Sequence, residues 1–251
     1  MHYESRVIFY LLVLVATLVF AGGMAGLIHL WRLGKEPSLN RNIQVSQWVR
    51  YFLRAVFFQA QIRENGVYIW IAHLCIFYGF MSLLLLTTLE FFLDWFVPAN
   101  AAILEFFKSG PGNPVLALWG DFWGLVLLAG VLMALYRRYV KKPEILNTIA
   151  EDAVALWLLL AIILTGYLCE AVRLAARPES IDLAQSFAVA WLVPLLSGSG
   201  LSEGWVTSMF YFHGILSLGF IAYIPFGKLR HIIASPLTYS CVSAGDQYTK
   251  I

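Results

Sequence analysis

Residues 212–231 have the sequence FHGILSLGFIAYIPFGKLRH, a largely apolar run with a histidine near each end, His213 and His231. Four other apolar stretches are as long, and a membrane-spanning helix needs ~20 mostly apolar residues. None of the five stretches shows the alternation of apolar and polar residues that is typical of a transmembrane β-strand. The sequence therefore predicts an all-α integral membrane protein, a bundle of five transmembrane helices at about 7–31, 67–97, 114–138, 150–175 and 205–229.

The composition agrees with a membrane protein. Of the 251 residues, 60% are hydrophobic and only 13% are charged, and the mean hydropathy is +0.74. A soluble domain of this size carries more charge. We expect a single membrane domain over residues 1–251. The stretch RVIFYLLVLVATLVFAGG at 6–23 has features of a signal peptide, but its apolar character continues to a basic flank, so we expect a retained helix.

The distribution of basic residues predicts the orientation. Arginine and lysine concentrate between the first two helices, after the third helix at 137–142, and in the tail after 227. The remaining loops carry fewer basic residues. Because cytoplasmic loops are enriched in Lys and Arg, the N-terminus is predicted outside and the C-terminus in the cytoplasm.

The sequence lacks the motifs that are typical of several kinds of cofactor and ligand binding. The three cysteines, Cys75, Cys169 and Cys241, form no C-x-x-C or C-x-x-C-H motif, so neither an iron–sulfur cluster nor a covalently attached haem is indicated. There is no glycine-rich nucleotide motif, and nothing indicates nucleic-acid binding. Any soluble redox centre is therefore expected on another subunit.

The two histidines of the fifth helix are separated by eighteen residues. In a continuous α-helix this is five turns, which puts both on one face, about 27 Å apart along the axis. Pro225 is expected to bend this helix, so the alignment is approximate. Either histidine alone has an ordinary explanation: His231 as an interfacial residue, and His213 as a donor to a carbonyl. Together they indicate haem ligands at two depths of a bundle.

His73, within IWIAHLCIFYGF on the second helix, lies at about the depth predicted for His231. We therefore predict a six-coordinate b-type haem near the cytoplasmic side, with His73 and His231 as its iron ligands. The ordinary alternative for His73 is a core histidine bonded to a neighbouring residue.

Two segments, HLCIFYGF at 73–80 and HGILSLGFIAYIPFGKLRHIIASP at 213–236, resemble the membrane cytochrome b subunits of heterodisulfide-reductase-type complexes. That family is related to the gamma subunit of respiratory nitrate reductase. The resemblance implies haem b in a five-helix bundle of the inner (cytoplasmic) membrane. It further implies electron transfer in a respiratory chain, between menaquinone or another quinone and an iron–sulfur subunit on the cytoplasmic side. The chain would then be the quinone-reactive subunit of an oxidoreductase complex.

The sequence departs from the nitrate reductase pattern, in which the second helix carries two histidines ten residues apart. Leu83 occupies the second of these positions. An outer haem on His213 therefore lacks a histidine partner: it is five-coordinate, or it takes Met81 or the more cytoplasmic Met133 as a ligand, or only one haem is present. We expect two haems. His2 is interpreted as a terminal residue, and His29 as a surface residue or a contact of a haem propionate.

Quinol oxidation needs proton acceptors beside the outer haem. The outer halves of the helices carry Glu90, Asp94, Asp121 and Glu170. Glu90 and Asp94 share a face and are interpreted as interfacial, so we predict Asp121 and Glu170 as the quinol proton acceptors, although Glu170 and Arg173 are close enough to form a pair.

Two loop segments have predicted roles. Residues 180–196, SIDLAQSFAVAWLVPLL, are expected to lie on the outer surface as a roof over the quinone pocket. Residues 41–65 mix arginine with aromatic residues and are expected to form a surface helix or a docking face for the soluble subunit.

Two other classes of protein remain open. One is a small transporter, with Asp121 and Glu170 on its pathway; five helices show no inverted repeat in its favour. The other is a cofactor-free membrane anchor of a redox complex, which leaves the three histidines unexplained.

Overall fold

The computed structural model describes residues 3–33, 45–98, 100–143, 150–176 and 186–236. This part of the chain is helical and contains no strand. Five long helices and four short ones follow one another along it. In chain order they are α1 Tyr3–Arg32, α2 Val45–Phe52, α3 Ala60–Glu64, α4 Val67–Phe96, α5 Ala102–Lys108, α6 Gly112–Leu135, α7 Ala150–Ala176, α8 Val193–Ser197 and α9 Glu203–Tyr223.

The predicted five-helix membrane architecture is confirmed. Helices α1, α4, α6, α7 and α9 are long and apolar enough to cross a membrane. Helices α4 and α7 end within one residue of the predicted boundaries, because their apolar runs have sharp polar or turn-forming ends. Helix α6 continues beyond Leu135 as a π-helical segment, Tyr136–Lys141. The orientation of the two termini stays a prediction.

The fifth helix ends earlier than predicted. The α-helix stops at Tyr223, and two 3₁₀ turns follow, Ile224–Phe226 and Lys228–Arg230. Between them Gly227 is extended, with φ −111° and ψ −170°. Proline has no N–H for the helical ladder and its ring clashes with the preceding turn, so Pro225 breaks the α-helix rather than bending it.

The prediction of one continuous helix from His213 to His231, on which their five-turn alignment was based, is therefore wrong. The two residues lie on either side of the break at Pro225. His231 begins a separate helical stretch that the structure describes through residue 236.

The segment between the first two spans, expected as a surface helix or a docking face, is largely helical from residue 45 onward. It consists of α2, a π-helical turn Leu53–Phe57, and α3. Gln59, between the last two, has a left-handed backbone with φ 48°. The Trp70 indole donates a hydrogen bond to the Phe58 carbonyl, 2.8 Å away, which ties the start of α4 to this loop. Residues 34–44 lie outside the described part.

The chain divides into two compact units. The first comprises Met1–Trp70, Thr148–Ala155 and Ser217–Ile251; the second comprises Ile71–Asn147 and Leu156–Leu216. The expectation of a single membrane domain over the whole chain stays a prediction.

In the first unit, α1 packs on the turn that ends the fifth span. A Cβ added at Gly23 would lie 2.6 Å from the Cβ of Pro225, so only glycine permits this approach. The turn is also held by an ion pair: the Lys228 ammonium lies 3.0 Å from a carboxylate oxygen of Asp152, in the first turn of α7.

In the second unit, glycines bring α4 and α6 into backbone contact. A Cβ at Gly79 would lie 2.6 Å from the Cβ of Leu127 and 2.8 Å from its Cα. A Cβ at Gly130 would lie 2.8 Å from the backbone nitrogen of Ile76. Small residues at such crossings let membrane helices gain close van der Waals contact.

Replacing Gly130 by Ala is therefore expected to destabilise the protein. The new Cβ meets backbone atoms of α4, which cannot move without separating the helices, and overpacking of this kind costs about 1–3 kcal/mol. Gly22→Ala is the matched control, since nothing lies within 4 Å of a Cβ there. Thermal unfolding in detergent should show a lower midpoint for Gly130→Ala alone. Equal midpoints for both variants would contradict the close crossing.

Candidate functional site

Two carboxyl groups from neighbouring spans meet inside the second unit. Asp121 lies in the middle of α6 and Glu170 near the end of α7, and their carboxyl groups are close enough to interact with each other. Asp121 is almost completely buried, with 1% of its surface exposed. The sequence predicted both residues separately, and the structure brings them together.

The segment 186–197, which we call the roof segment, covers this carboxyl pair. The Ala188 amide donates to Oδ2 of Asp121 and the Ser186 hydroxyl donates to Oε1 of Glu170, each at 2.8 Å. Its apolar side chains Val189 and Val193 are buried in a cluster with residues of α7. The described part of the predicted roof therefore lies over the two predicted proton acceptors; residues 180–185 are outside the described part.

The proximity of Asp121 and Glu170 favours a proton on one of them. Two ionised carboxylates can only accept hydrogen bonds, and like charges close together in a water-poor site repel each other. Oδ1 of Asp121 is buried and receives no hydrogen bond from an N–H or O–H donor of the described residues. A proton held by one of the two carboxyl groups would relieve the repulsion.

The two carboxyl groups differ in their exposure to solvent. The Glu170 side chain is 22% exposed, and the Arg173 guanidinium lies 3.6 Å from its Oε1 and is 47% exposed. On the inner side, the Tyr167 hydroxyl donates to the backbone carbonyl of Asp121 at 2.9 Å. Gly124 leaves room for that hydroxyl, because a Cβ there would lie 2.5 Å from it. Sequence reasoning missed Tyr167, since its role depends on a contact between two helices.

His213 lies on α9 against the middle of α7. Its Nδ1 is 3.1 Å from the hydroxyl oxygen of Thr165, and the imidazole is half-buried. A Cβ at Gly166 would lie 3.2 Å from Cε1 of the ring. The imidazole is therefore seated directly on the backbone of α7.

His231 has a local partner. Its Nδ1 is 2.7 Å from the backbone carbonyl of Lys228. A carbonyl only accepts, so Nδ1 carries the proton, and in the neutral imidazole Nε2 keeps its lone pair. His73 is half-buried on α4 in the other compact unit, and its pairing with His231 stays a prediction.

The glycine contacts set the levels of the helices in the second unit. Along the antiparallel pair α4 and α6, Gly79 lies opposite Leu127 and Ile76 opposite Gly130. By the same register Met81 lies level with residue 125 and His73 level with residue 133, which is Met133. The two levels are about 12 Å apart along α6, at 1.5 Å per residue.

The register extends to α7. The Tyr167 hydroxyl lies beside Gly124 and donates to the Asp121 carbonyl, and the Glu170 carboxyl interacts with that of Asp121. Residue 125 therefore lies within about one helical turn of the level of Gly166, which contacts His213. Of the two methionines that the sequence offered as ligands, Met81 is thus level with His213, whereas Met133 is level with His73.

The other candidate residues lie apart from these groups. Asp94 forms an exposed ion pair with Lys108 at 2.9 Å, Glu90 is exposed, and His29 is exposed on α1. His2 lies outside the described part. Within the described ranges, no group of three or more His, Cys, Asp or Glu side chains could hold a bare metal ion. A haem iron needs only one or two axial side chains, so that finding does not bear on haem.

Five apolar helices with polar side chains paired inside them define a multi-pass membrane protein. Residues 49–239 match the HdrE family, described as a subunit of dihydromethanophenazine:CoB–CoM heterodisulfide reductase, and the chain belongs to this family. The prediction of a heterodisulfide-reductase-type membrane subunit is thereby confirmed.

Several curated proteins are similar to the chain. An EtfAB:quinone oxidoreductase of Syntrophomonas wolfei is 30% identical over 247 residues, which are 92% of this chain and 33% of that protein. The HdrE protein of Methanosarcina mazei is 28% identical over 76% of this chain and 66% of its own length. A probable iron–sulfur-binding oxidoreductase of Bacillus subtilis is 26% identical over 66% of this chain and 23% of its own length. The chain thus spans about one third of the first relative and just under two thirds of the second. No solved structure matches it.

The hydrogen bond from the roof segment to Asp121 can be tested by amide exchange. In Asp121→Ala, the Ala188 amide loses its acceptor and should exchange at least about tenfold faster, since a bond to a charged group is worth about 1.5–3 kcal/mol. Asp121→Asn keeps a side-chain acceptor and should protect this amide better. Asp94→Ala, which removes an exposed carboxylate, is the control. Unchanged exchange in Asp121→Ala would show that the roof segment does not depend on this bond.

Proposed function

We propose that the chain is a b-type cytochrome subunit that transfers electrons between the membrane quinone pool and an iron–sulfur partner. The observation that carries the proposal is the environment of its imidazoles. His213 and His231 each have Nδ1 engaged by a protein oxygen. Metal-ligating histidines characteristically use their other ring nitrogen in this way, which orients the ring.

The donor set fits haem rather than a bare metal ion. Single, separate imidazoles in apolar spans are the usual axial ligands of b-type haem. We assign His73 and His231 to an inner haem and His213 to an outer one. Met81, level with His213, is the candidate second ligand of the outer haem; the alternatives are an open sixth position and a protein with the inner haem alone. When bound, haem supplies one-electron transfer.

The carboxyl pair would manage the protons of the quinol. Glu170 is the more exposed member, so it is the group that a quinol hydroxyl can reach, and it accepts the first proton. Asp121 lies behind it, buried under the roof segment, and holds a proton without contact with bulk water. Arg173 at the exposed side of Glu170 favours the ionised form once the proton has left.

The family and the charge distribution support the proposed partner and location. The relatives are named as subunits or enzymes of heterodisulfide, quinone and iron–sulfur oxidoreduction. With the C-terminus on the cytoplasmic side of the inner membrane, as the basic loops favour, the iron–sulfur partner would dock there. The quinol site would then face outward and release protons outside while electrons pass inward.

The haem assignment predicts distinct losses in histidine variants. The purified complex should show a b-type reduced-minus-oxidised spectrum, with two haems per chain by the pyridine haemochrome assay. His73→Ala and His231→Ala should each lose the same haem, and His213→Ala the other. His29→Ala, at a histidine of α1 that is not assigned as an iron ligand, is the control and should keep both. A complex without haem would favour a cofactor-free anchor or a transporter.

The carboxyl pair predicts a loss of quinol oxidation with the haem content unchanged. Glu170→Gln and Asp121→Asn remove a proton acceptor but keep the side-chain volume. Quinol-linked haem reduction should slow at least about tenfold, because a general base typically contributes about 10²–10⁴-fold. Asp94→Asn, at an exposed ion pair, should reduce haem at the rate of the unsubstituted protein. Wild-type rates in both site variants would remove the assignment.

A further inference from the structure

We infer that Thr165 and Gly166 of α7 are positioning residues that fix the ring orientation and the tautomer of His213. The inference rests on the proposed role of His213 as a haem ligand and adds the groups that act through it. Neither residue was a candidate from the sequence, where a threonine and a glycine inside an apolar span carry no signal of their own.

The proton of the Thr165 hydroxyl decides the tautomer. Its Oγ1 lies 2.7 Å from the Ala161 carbonyl, 3.1 Å from the Ile162 carbonyl, and 3.1 Å from Nδ1 of His213. A hydroxyl has one proton, and a carbonyl can only accept. The proton therefore belongs to the short contact with Ala161. If it pointed at the imidazole instead, two acceptor oxygens would face each other at 2.7 Å.

The imidazole must then be the donor toward Thr165. Nδ1 carries the hydrogen, and the hydroxyl oxygen accepts it through a lone pair, with the Ile162 carbonyl as a second acceptor of the imidazole. In the neutral ring Nε2 is left with its lone pair, and the ring cannot rotate about its long axis without losing the bond. The hydrogen bond of Thr165 within its own helix thus determines which ring nitrogen of His213 carries the proton.

Gly166 provides the space for this arrangement. A Cβ at this position would lie 3.2 Å from Cε1, 3.7 Å from Nδ1 and 3.8 Å from Nε2 of His213. A Cβ here would crowd the Cε1 edge of the imidazole, which would have to move by a few tenths of an ångström. Thr165 fixes the ring by a hydrogen bond, and Gly166 fixes its distance from α7.

The hydrogen bond has a consequence for the iron that His213 would bind. A ligating imidazole that donates its other N–H to an acceptor is a more basic ligand. A more basic ligand stabilises the oxidised, more positive iron, so the bond lowers the midpoint potential of this haem. Its loss should raise that potential without changing the other haem.

The test is redox potentiometry of the haems in the intact complex carrying Thr165→Val. Valine has the shape of threonine but cannot accept a hydrogen bond, so the haem lost in His213→Ala should titrate at a higher potential. Thr165→Ser keeps the hydroxyl and should restore the original value. Thr88→Val is the matched control, because the Thr88 hydroxyl makes the same 2.7 Å bond to the carbonyl four residues earlier, on α4.

The possible outcomes distinguish a failure of the positioning role from a failure of the proposed function of His213. A complex without haem, or one in which His213→Ala keeps every haem, overturns the proposed role of His213. A His213-dependent haem whose potential is unchanged in Thr165→Val, or is raised equally in Thr88→Val, overturns only the positioning role.

If Thr165→Val does not fold, a second variant tests the positioning role. Gly166→Ala crowds Cε1, and it should alter the low-temperature electron paramagnetic resonance spectrum of the same haem while Thr165→Ser keeps the original spectrum. An unchanged spectrum in a folded Gly166→Ala protein would overturn the positioning role.

Discussion

A polar group inside the hydrocarbon layer has no water to bond to, so the protein itself must supply its partner. This constraint governs the second unit. Asp121 takes a backbone amide from the roof segment and shares a contact with Glu170, and the Tyr167 hydroxyl bonds to the carbonyl of Asp121. Each of these bonds joins two elements that are distant in sequence. The polar side chains therefore hold α6, α7 and the roof segment together as well as forming the site.

Glycine residues allow the close helix contacts in which these polar groups meet. Polar partners on different helices can meet only if the helix axes approach closely, and small residues permit that approach. Gly79 and Gly130 do so between α4 and α6, Gly124 between α6 and α7, and Gly166 between α7 and the imidazole of α9. Because these contacts determine which residues lie near one level, they also determine where His73, His213 and the carboxyl pair lie along the helices of the second unit.

The resulting levels suit the proposed chemistry. Gly166, the residue beneath His213, is four residues from Glu170 on the same helix, or about 6 Å along its axis. A quinol bound at that height could release its electrons toward His213 and its protons toward the carboxyl pair. On the proposed function, the electron acceptor at His213 lies close to the proton acceptor Glu170. The reason is that one helix, α7, carries Thr165, Gly166 and Glu170 within two turns.

The sequence by itself determined the membrane class, the number of spans and most of their ends, because long apolar runs bounded by polar residues depend only on local composition. It also identified Asp121, Glu170 and the three histidines as polar groups that need an explanation inside apolar helices. It did not determine the end of the fifth helix, where Pro225 and an extended Gly227 replace the expected bend. Nor could it show that Asp121 and Glu170 lie together, that the Ala188 amide donates to Asp121, or that Thr165 contacts His213. Those relations were decided only by the tertiary structure, because they depend on helix register, and register is set by close contacts between residues far apart in the chain.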